Sequence, residues 1–247
     1  MPKQDLNQAI VFERLQTILN ELYGDVTHHL DIVPKSQQPF QSFSSPDGNV
    51  TGSLLTFTGK QVDKLVYSWL NAAQLGFGTM RLTLWLSPNI QVPHLAFEFG
   101  TIPNLFFYMD YIPRVDLWTD LSYTEKYYES ASSTYLELRN NPDLSLFVSK
   151  GLYVRQLQSP AHLCFTCSNT EDSLSLIHRL AHEMSSRWLA WVDQATPLPA
   201  DMRASLAERD LSMRRISAER DPGNAMAAKI FGTEFANQLV QSLWNRE

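Results

Sequence analysis

The residue whose surroundings most favour chemistry is Glu98, which lies in the segment His94–Phe99. Side chains alternate between the two faces of a strand, so Leu95, Phe97 and Phe99 share one face and Glu98 lies on the other. A strand with this much apolar bulk should be covered on both faces, which would desolvate the carboxyl and favour its protonated form. Glu98 is therefore a candidate proton donor. The alternative, equally supported, is that it reaches the sheet edge or pairs with an Arg or Lys.

Two aspartates are further candidates, and each also has an ordinary structural explanation. Asp110 lies in the next predicted strand, where a hydrogen bond to the following turn or an ion pair with Arg114 would account for it. Asp221 stands between Arg220 and Pro222, directly before the last predicted helix. An Asp followed by Pro at a helix start is typical of an N-cap. Both aspartates thus carry a site hypothesis and a structural alternative.

The motifs of cofactor chemistry are missing or incomplete. Gly76-Phe77-Gly78 lacks the third glycine and the strand-to-helix context of a dinucleotide-binding turn. His28 and His29 are adjacent, so their side chains diverge and no nearby ligand completes a metal site. Cys164 and Cys167 should point to opposite faces of a strand, which favours buried apolar side chains over a redox or zinc pair. A reductase with this sequence would need electrons from outside.

The elements that must position these side chains follow from hydrophobic periodicity and turn signals. The predicted helices are Leu6–Tyr23 (ended by Gly24), Tyr123–Arg139, one opened by a capping box at Ser168–Glu171, one reaching about Met213 after Pro197 and Pro199, and Asn224–Trp244. The predicted strands are Ser53–Thr58, Val62–Leu70, Arg81–Leu86, His94–Phe99, Leu105–Tyr111, Leu152–Leu157 and His162–Cys167. Strands therefore occupy the middle of the chain and helices its two ends.

Short connections between the strands require antiparallel pairing, because a parallel crossover needs about a dozen residues or more. We therefore predict an α/β (α+β) protein, an α/β/α sandwich with a central antiparallel sheet of six or seven strands flanked by helices. The polar stretch from His28 to Asn49 is expected to be a loop and not a linker, because strand patterns resume at once. A single domain over residues 1–247 is the simplest organisation.

Composition narrows the function classes. A net charge of −6 argues against nucleic-acid binding, and no apolar run reaches the ~20 residues of a membrane span. The 13 Phe, 9 Tyr and 6 Trp residues could line a large flat cavity or fill an ordinary core. Residues Met1–Asp5 show neither a signal-peptide nor a transit-peptide pattern, so a bacterial cytoplasmic protein is expected.

Several segments, taken in order, resemble the red chlorophyll catabolite reductase family. They are Ser68-Trp69, Pro93–Phe99, Asp110–Leu117, Tyr123–Tyr128, Leu152–Arg155 with Ser159-Pro160, Glu208–Arg215 and Ile230–Gly232. This family belongs with the ferredoxin-dependent bilin reductases. The resemblance implies their α/β/α sandwich, with an open-chain tetrapyrrole bound between the sheet and the C-terminal helices.

The resemblance also implies which acidic residues face the pigment. By position, Glu98 is similar to the acidic residue of the central sheet, and Asp221 to the one in the loop before the last helix. Arg220 here replaces the Asn of the Asn-Asp-Pro seen in bilin reductases. The expected substrate-binding residues are Trp69, Arg155, Arg214 and Arg215, the arginines through the acidic groups of the pigment. Surface salt bridges are the alternative for those arginines.

The implied reaction is reduction of red chlorophyll catabolite to a primary fluorescent catabolite at one methine bridge. No cofactor is expected to be bound, since reduced ferredoxin would deliver electrons singly and the two acidic residues would deliver protons. Reduction of biliverdin by a phycobilin-type reductase and non-catalytic tetrapyrrole binding are the alternatives. Ferredoxins are strongly acidic, so docking is expected near Met202–Lys229, which carries six basic and four acidic residues. The sequence leaves the oligomeric state open, with a homodimer as one option.

Overall fold

Nine strands of the described residues (5–35, 38–101 and 104–245 in the computed structural model) form one sheet. They are β1 (Val33–Pro34), β2 (Phe43–Ser44), β3 (Thr51–Thr58), β4 (Val62–Ala72), β5 (Phe77–Leu86), β6 (His94–Gly100), β7 (Leu105–Ile112), β8 (Leu144–Leu146) and β9 (Leu163–Cys167). The order is β1-β3-β4-β5-β6-β7-β9-β8, β2 also pairs with β3, and every pair is antiparallel. The predicted antiparallel sheet is confirmed. The short strands β1, β2 and β8 were not predicted.

Seven helices of the described residues cover the two faces of this sheet. They are α1 (Gln8–His29), α2 (Leu121–Arg139), α3 (Leu152–Leu157), α4 (Glu171–Asp193), α5 (Ala200–Glu219), α6 (Asn224–Phe231) and α7 (Thr233–Trp244). The predicted sandwich of helices, sheet and helices is therefore also confirmed. Of the described helices, none combines the length and apolar character that crossing a bilayer requires. Residues 102 and 103, in the short connection between the predicted strands His94–Phe99 and Leu105–Tyr111, lie outside the described residues, as do residues 1–4 of the N-terminus.

The main hydrophobic core lies between α1, α2 and α4 and one face of the sheet. Phe97 and Phe107 are fully buried there, from the alternate positions that β6 and β7 direct to this face. Trp188 of α4 is also fully buried and donates its indole N–H to the carbonyl of Pro93 at 2.8 Å. A fully buried aromatic side chain contributes about 1.5–3 kcal/mol relative to an exposed one. This face carries most of the apolar burial.

The opposite face of the sheet is more polar and lies under α3, α5, α6 and α7. A buried ion pair fixes α5 to it: the Arg114 Nε lies 3.2 Å from Oδ2 of Asp210, and both residues are almost fully buried. Arg114 also donates to carbonyls of the β5–β6 connection, including those of Ser87 and Ile90. Since every donor of a buried guanidinium needs a partner, these carbonyls determine where Arg114, and with it α5, is held.

One element was predicted with the wrong type. Leu152–Leu157 is the helix α3 and not a strand. In the structure Val154 and Leu157, three residues apart, face the same side, whereas Leu152 is largely exposed. Spacing of three is the helical period, and a segment this short fits either pattern.

The ends of several helices also differ from the prediction. Gly24 lies inside α1, which continues to His29 because Val26 extends its buried stripe; a glycine inside a helix costs about 1 kcal/mol. The N-cap of α4 is Thr170 and not Ser168, with its hydroxyl accepting from the N–H of Ser173. Gly232 divides the predicted last helix into α6 and α7, because its φ of +86° lies in the region that favours glycine.

His94 gives the fold a pH dependence that can be measured. Its Nδ1 accepts from the N–H of Leu86, and its Nε2 lies 3.2 Å from Asp210. Burial, together with the nearby Arg114 guanidinium, lowers the pKa of His94 to about 4. The unfolded chain takes up this proton near pH 6.5. Between these values the unfolded state holds more protons, so stability falls as the pH falls.

We therefore expect the free energy of unfolding to drop by about 2 kcal/mol from pH 7 to pH 5 through His94 alone. Urea unfolding at the two pH values measures this drop. His94→Gln should be less stable at pH 7 but should lose less on acidification. His29→Gln, at an exposed position, should keep the dependence of the parent. An equal drop in His94→Gln and parent would contradict the assignment.

Candidate active site

Glu98 lies on the polar face of the sheet, in the middle of β6. The register of β5 and β6 places Arg81 directly opposite, and its Nη2 donates to Oε2 of Glu98 at 3.0 Å. The Glu98 side chain is 31% exposed and lies on the side that the C-terminal helices cover. The two interpretations of its sequence position therefore hold together: Glu98 lines a cleft, and it also pairs with an arginine.

Asp221 reaches the same arginine from the other side of the cleft. It lies in the turn between α5 and α6, and its Oδ2 is 3.4 Å from the Arg81 Nη2. Its other oxygen, Oδ1, accepts from the N–H of Gly223 at 2.8 Å. That bond caps the turn, whereas the N-cap residue of α6 is Gly223, without a side-chain bond. The predicted N-cap is therefore a turn cap, which leaves one carboxylate oxygen directed into the cleft.

Arg81 joins the two acidic residues, although the sequence analysis did not single it out. Both carboxylates contact the same guanidinium nitrogen. The Glu98 carboxylate, with a smaller contribution from Asp221, raises the pKa of the Arg81 guanidinium above its ordinary value. The alternation of Arg81–Leu86 could have placed Arg81 on a polar face, but only the strand register sets it opposite Glu98. We call Arg81, Glu98 and Asp221 the acid–arginine cluster.

The turn that carries Asp221 is held in place by close contact with α3. A Cβ atom at Gly151 would lie 2.8 Å from the Cγ of Pro222, so a glycine is needed where the two segments meet. Arg220 stacks over the ring of Tyr153, with its guanidinium carbon 5.3 Å from the ring centroid. These two contacts position Pro222 and Arg220 on either side of Asp221.

The cluster lies where two lobes of one cleft meet. Arg81, Glu98, Asp221 and Leu243 line both lobes, which have volumes of about 240 and 210 Å³. The first lobe lies between β5–β7 and helices α3 and α5. The second lies between β3–β5 and helices α6 and α7. Together they fall within the ~300–1,000 Å³ typical of small-molecule sites. The cleft is thus elongated, with its charged groups near the middle.

Both lobes are lined mainly by apolar and aromatic side chains. In the first lobe these include Trp85, Phe106, Tyr108, Phe147 and Leu157, and in the second Phe43, Leu70, Phe77, Ile230 and Leu239. Apolar walls with a few converging polar groups are typical of sites for large organic ligands.

Comparison with known proteins agrees with this arrangement. A model of the red chlorophyll catabolite reductase (RCC reductase) family matches residues 15–245. The chain belongs to this family. It is therefore an oxidoreductase that acts on tetrapyrroles.

Curated relatives support the assignment, and a solved structure shares the fold. The red chlorophyll catabolite reductase of barley (Hordeum vulgare) is 26% identical over 171 residues, which cover 64% of this chain and 83% of the relative. The chloroplastic red chlorophyll catabolite reductase 1 of rice (Oryza sativa subsp. japonica) is 24% identical over 230 residues, covering 85% and 69%. The fold resembles that of tomato phytochromobilin synthase, crystallised with biliverdin, with a TM-score of 0.82, 17% identity, and coverage of 94% and 83%.

Of the predicted substrate-binding arginines of this RCC reductase family member, the structure brings one into the cleft. Arg214 is buried in the first lobe, where its Nη1 donates to Asp63 at 2.8 Å. Arg155 is exposed on α3 and donates to the carbonyl of Ser149. Arg215 is exposed on α5 and pairs with Glu219 at 2.9 Å. Neither Arg155 nor Arg215 lines a lobe, because both side chains point outward from helices whose other sides face the cleft.

Trp69 contributes to the lining of the second lobe, but its ring lies on the other face of the sheet. It shares that face with Tyr67, whose hydroxyl donates to Asn20 of α1. Its ring packs edge-on against Phe12, with centroids 6.5 Å apart. Ser68 and Leu70, on either side of Trp69 in β4, are the residues that alternation directs to the cleft.

Asp110 supports the cleft from behind and does not line it. Burial raises the pKa of this carboxyl, and its Oδ2 accepts from the N–H of Ser159 and the hydroxyl of Tyr108, at 2.9 and 2.8 Å. Neither predicted contact is the one observed, because Asp110 bonds to Ser159 in the α3–β9 connection and not to the turn that follows it, and Arg114 pairs with Asp210. Tyr108, which the sequence analysis missed, lines the first lobe.

Cys164 and Cys167 are free thiols on opposite faces of β9, as predicted. Both are buried, and burial raises the pKa of Cys164 to about 12. A thiol with so high a pKa carries almost no thiolate at neutral pH. The prediction of two small buried apolar side chains therefore describes them well.

Proposed function

We propose that this protein reduces red chlorophyll catabolite to a primary fluorescent catabolite with electrons from ferredoxin. One observation carries the proposal: two carboxylates from distant parts of the chain meet at Arg81, midway along an elongated apolar cleft. A long, flat, open-chain tetrapyrrole would occupy both lobes and place a methine bridge beside the acid–arginine cluster. The family match and the plant relatives point to this substrate.

The chemistry requires two electrons and two protons for each methine bridge. Each reduced ferredoxin supplies one electron, so two ferredoxins are oxidised and a substrate radical lies between the two steps. Each added electron makes the pigment more basic, so a positioned carboxyl can then protonate a carbon. Glu98 would act from the sheet and Asp221 from the helical side, giving each protonation its own donor. Their opposite positions set the two faces of the pigment from which protons arrive.

Arg81 holds these two donors together before the pigment binds. It compensates two carboxylates that would otherwise repel each other at one point of the cleft. An acidic group of the pigment that approaches Arg81 would compete for the guanidinium and weaken its hold on Glu98 and Asp221. Arg214, already in the first lobe, would hold a second acidic group of the pigment.

A bilin is the second candidate substrate, because the fold matches a phytochromobilin synthase bound to biliverdin. The two pigments are similar in size and in their acidic groups, so the cleft would accept either. A third alternative is that the protein binds tetrapyrroles without turnover. Under each alternative the acid–arginine cluster would still contact the pigment. A turnover assay is therefore needed to distinguish the three alternatives.

We expect the purified protein to bleach red chlorophyll catabolite to a blue-fluorescent product when ferredoxin, ferredoxin reductase and NADPH are present. Visible absorption and fluorescence follow the reaction, and omission of ferredoxin is the control. A new bilin absorption band formed from biliverdin, with red chlorophyll catabolite unchanged, would support the bilin reductase instead. A shifted spectrum that stays constant with both pigments would mean that the protein binds tetrapyrroles without reducing them.

Replacing either donor should separate catalysis from binding. Glu98→Gln should slow turnover by about 10²–10⁴, the range for a positioned proton donor, and should keep pigment affinity because the amide has the same shape. Asp221→Asn should behave similarly, with a loss that is no larger. Single-turnover kinetics measures turnover and spectral titration measures pigment affinity, and Glu208→Gln, at an exposed position of α5, is the matched control.

Unchanged turnover in Glu98→Gln would show that Glu98 has only a structural role. A loss in Asp221→Asn of about 1 kcal/mol of stability alone would mean the same for Asp221.

The ferredoxin surface would lie beside the turn that carries Asp221. Between Met202 and Lys229 the exposed basic residues are Arg209, Arg215, Arg220 and Lys229, and the exposed acidic residues are Glu208 and Glu219. The inward members, Arg214 and Asp210, do not contribute to this surface. Lys150, just before α3, and Arg155 of α3 add two exposed basic residues nearby, since Tyr153 packs against Arg220. A locally basic surface on a chain with net charge −6 would steer an acidic partner toward the cleft.

Reversing two of these charges should weaken ferredoxin use and leave pigment binding intact. We expect Arg209→Glu with Lys229→Glu to raise the apparent KM for ferredoxin about tenfold or more at low salt and to flatten its salt dependence. Arg14→Glu with Arg179→Glu, on the opposite side of the sheet, is the matched control and should behave like the parent. Parent-like salt dependence combined with weaker pigment binding would mean that these residues serve the substrate and that ferredoxin docks elsewhere.

A further inference from the structure

A second group of chemically capable side chains lies far from the cleft, where α1 packs beside α4. His178 and His182, one helical turn apart on α4, both direct Nε2 at a single oxygen of Glu21 on α1. The distances are 3.0 Å and 3.1 Å. The three donor atoms all lie within 4.8 Å of one another. No step of the proposed pigment chemistry uses these residues.

These distances match the spacing of metal ligands. A tetrahedral zinc ion with bonds of about 2.0–2.1 Å to nitrogen and oxygen keeps its ligand atoms about 3.3 Å apart. The observed separations from Glu21 Oε2 need to lengthen by only a few tenths of an ångström. His178 and Glu21 are half-exposed, so a water molecule can reach the fourth position. Two imidazoles and one carboxylate form a donor set that suits zinc and its neighbours in the transition series.

Asp25 supplies the outer contact that such sites usually have. Its Oδ2 lies 3.6 Å from Nδ1 of His182, on the side of the ring away from Glu21. A carboxylate at Nδ1 favours the tautomer with the proton there, which leaves the Nε2 lone pair for a metal. The imidazole rings of His178 and His182 have centroids 4.5 Å apart, which is close enough for both to face one ion.

We propose that Glu21, His178 and His182 bind a divalent transition-metal ion of the zinc class, with Asp25 orienting His182. The ion would join α1 to α4 across the face of the sheet that carries the main core. Two ion pairs flank the site along the same helix pair, Arg14 with Glu171 and His29 with Asp193. The metal would therefore stabilise the side of the molecule opposite the cleft and take no part in pigment reduction.

The test uses the full chain, freed of any affinity tag and treated with a chelator, and Zn²⁺ itself as the probe. Competition with a chromophoric chelator should give one site per chain. His178→Gln and His182→Gln should each weaken Zn²⁺ binding at least as much as Asp25→Asn, for which about 10–100-fold is expected. His29→Gln is the matched control, since it removes a histidine of the same helix pair outside the site. Far-UV circular dichroism should show that all variants are folded.

Two further readouts make the outcome decisive. Zn²⁺ should raise the thermal midpoint of the parent and of His29→Gln but not of His178→Gln, because a ligand that binds only the folded state stabilises it. Co²⁺ should give visible bands without a thiolate charge-transfer band. The proposal would be overturned if Zn²⁺ bound to the parent and to His178→Gln with equal affinity, or if it bound to neither. A thiolate band would also overturn it, by moving the ion to Cys164 or Cys167.

Discussion

The buried ion pair between Arg114 and Asp210 is the interaction on which the cleft depends. Arg114 follows β7, and its guanidinium donates hydrogen bonds to carbonyls of the β5–β6 connection. Asp210 lies in the middle of α5. One contact thus fixes the helix across the ends of three strands. Replacing only one member of such a pair costs about 3–5 kcal/mol, because the other charge stays buried without compensation. Since α5 ends just before Asp221, the same contact decides whether that carboxylate reaches the cleft.

Arg81 has the corresponding role within the site. The Nη2 of a guanidinium carries two N–H groups fixed in one plane, so it can hold a carboxylate from the sheet and another from a turn 140 residues away along the chain. A lysine, whose ammonium group rotates freely on a flexible stem, would hold them less firmly. The result is a cluster in which each acidic residue is fixed by the other elements of the fold: Glu98 by the register of β5 and β6, and Asp221 by the contact of Pro222 with Gly151.

The residues that could be predicted from the sequence are those whose position follows from local periodicity. Alternation alone placed Glu98 on the face opposite Phe97 and Phe99, and this is where it lies. Arg81 could not be predicted, because its role depends on pairing between strands and on a distant turn. The six residues of α3 were too few to separate a period of two from one of about three and a half. Arg155 and Arg215 show the same limit, since charge marks them as candidates but only the packing of α3 and α5 turns them outward.

The two faces of the sheet differ in role, since one packs against the main hydrophobic core and the other forms the candidate site. The face under α1, α2 and α4 buries the large aromatic side chains, so the other face can remain an open cleft with charged groups in it. Glu98 and Asp221 keep roughly 30% of their side chains accessible, which in the proposed reaction would let water return a proton to each. Asp110 has no such access, and its bond to Tyr108 fixes the wall of the first lobe instead. A carboxyl that must be protonated again in every cycle needs access to solvent. This requirement, more than acidity alone, is why the half-exposed pair and not the buried aspartate suits proton delivery.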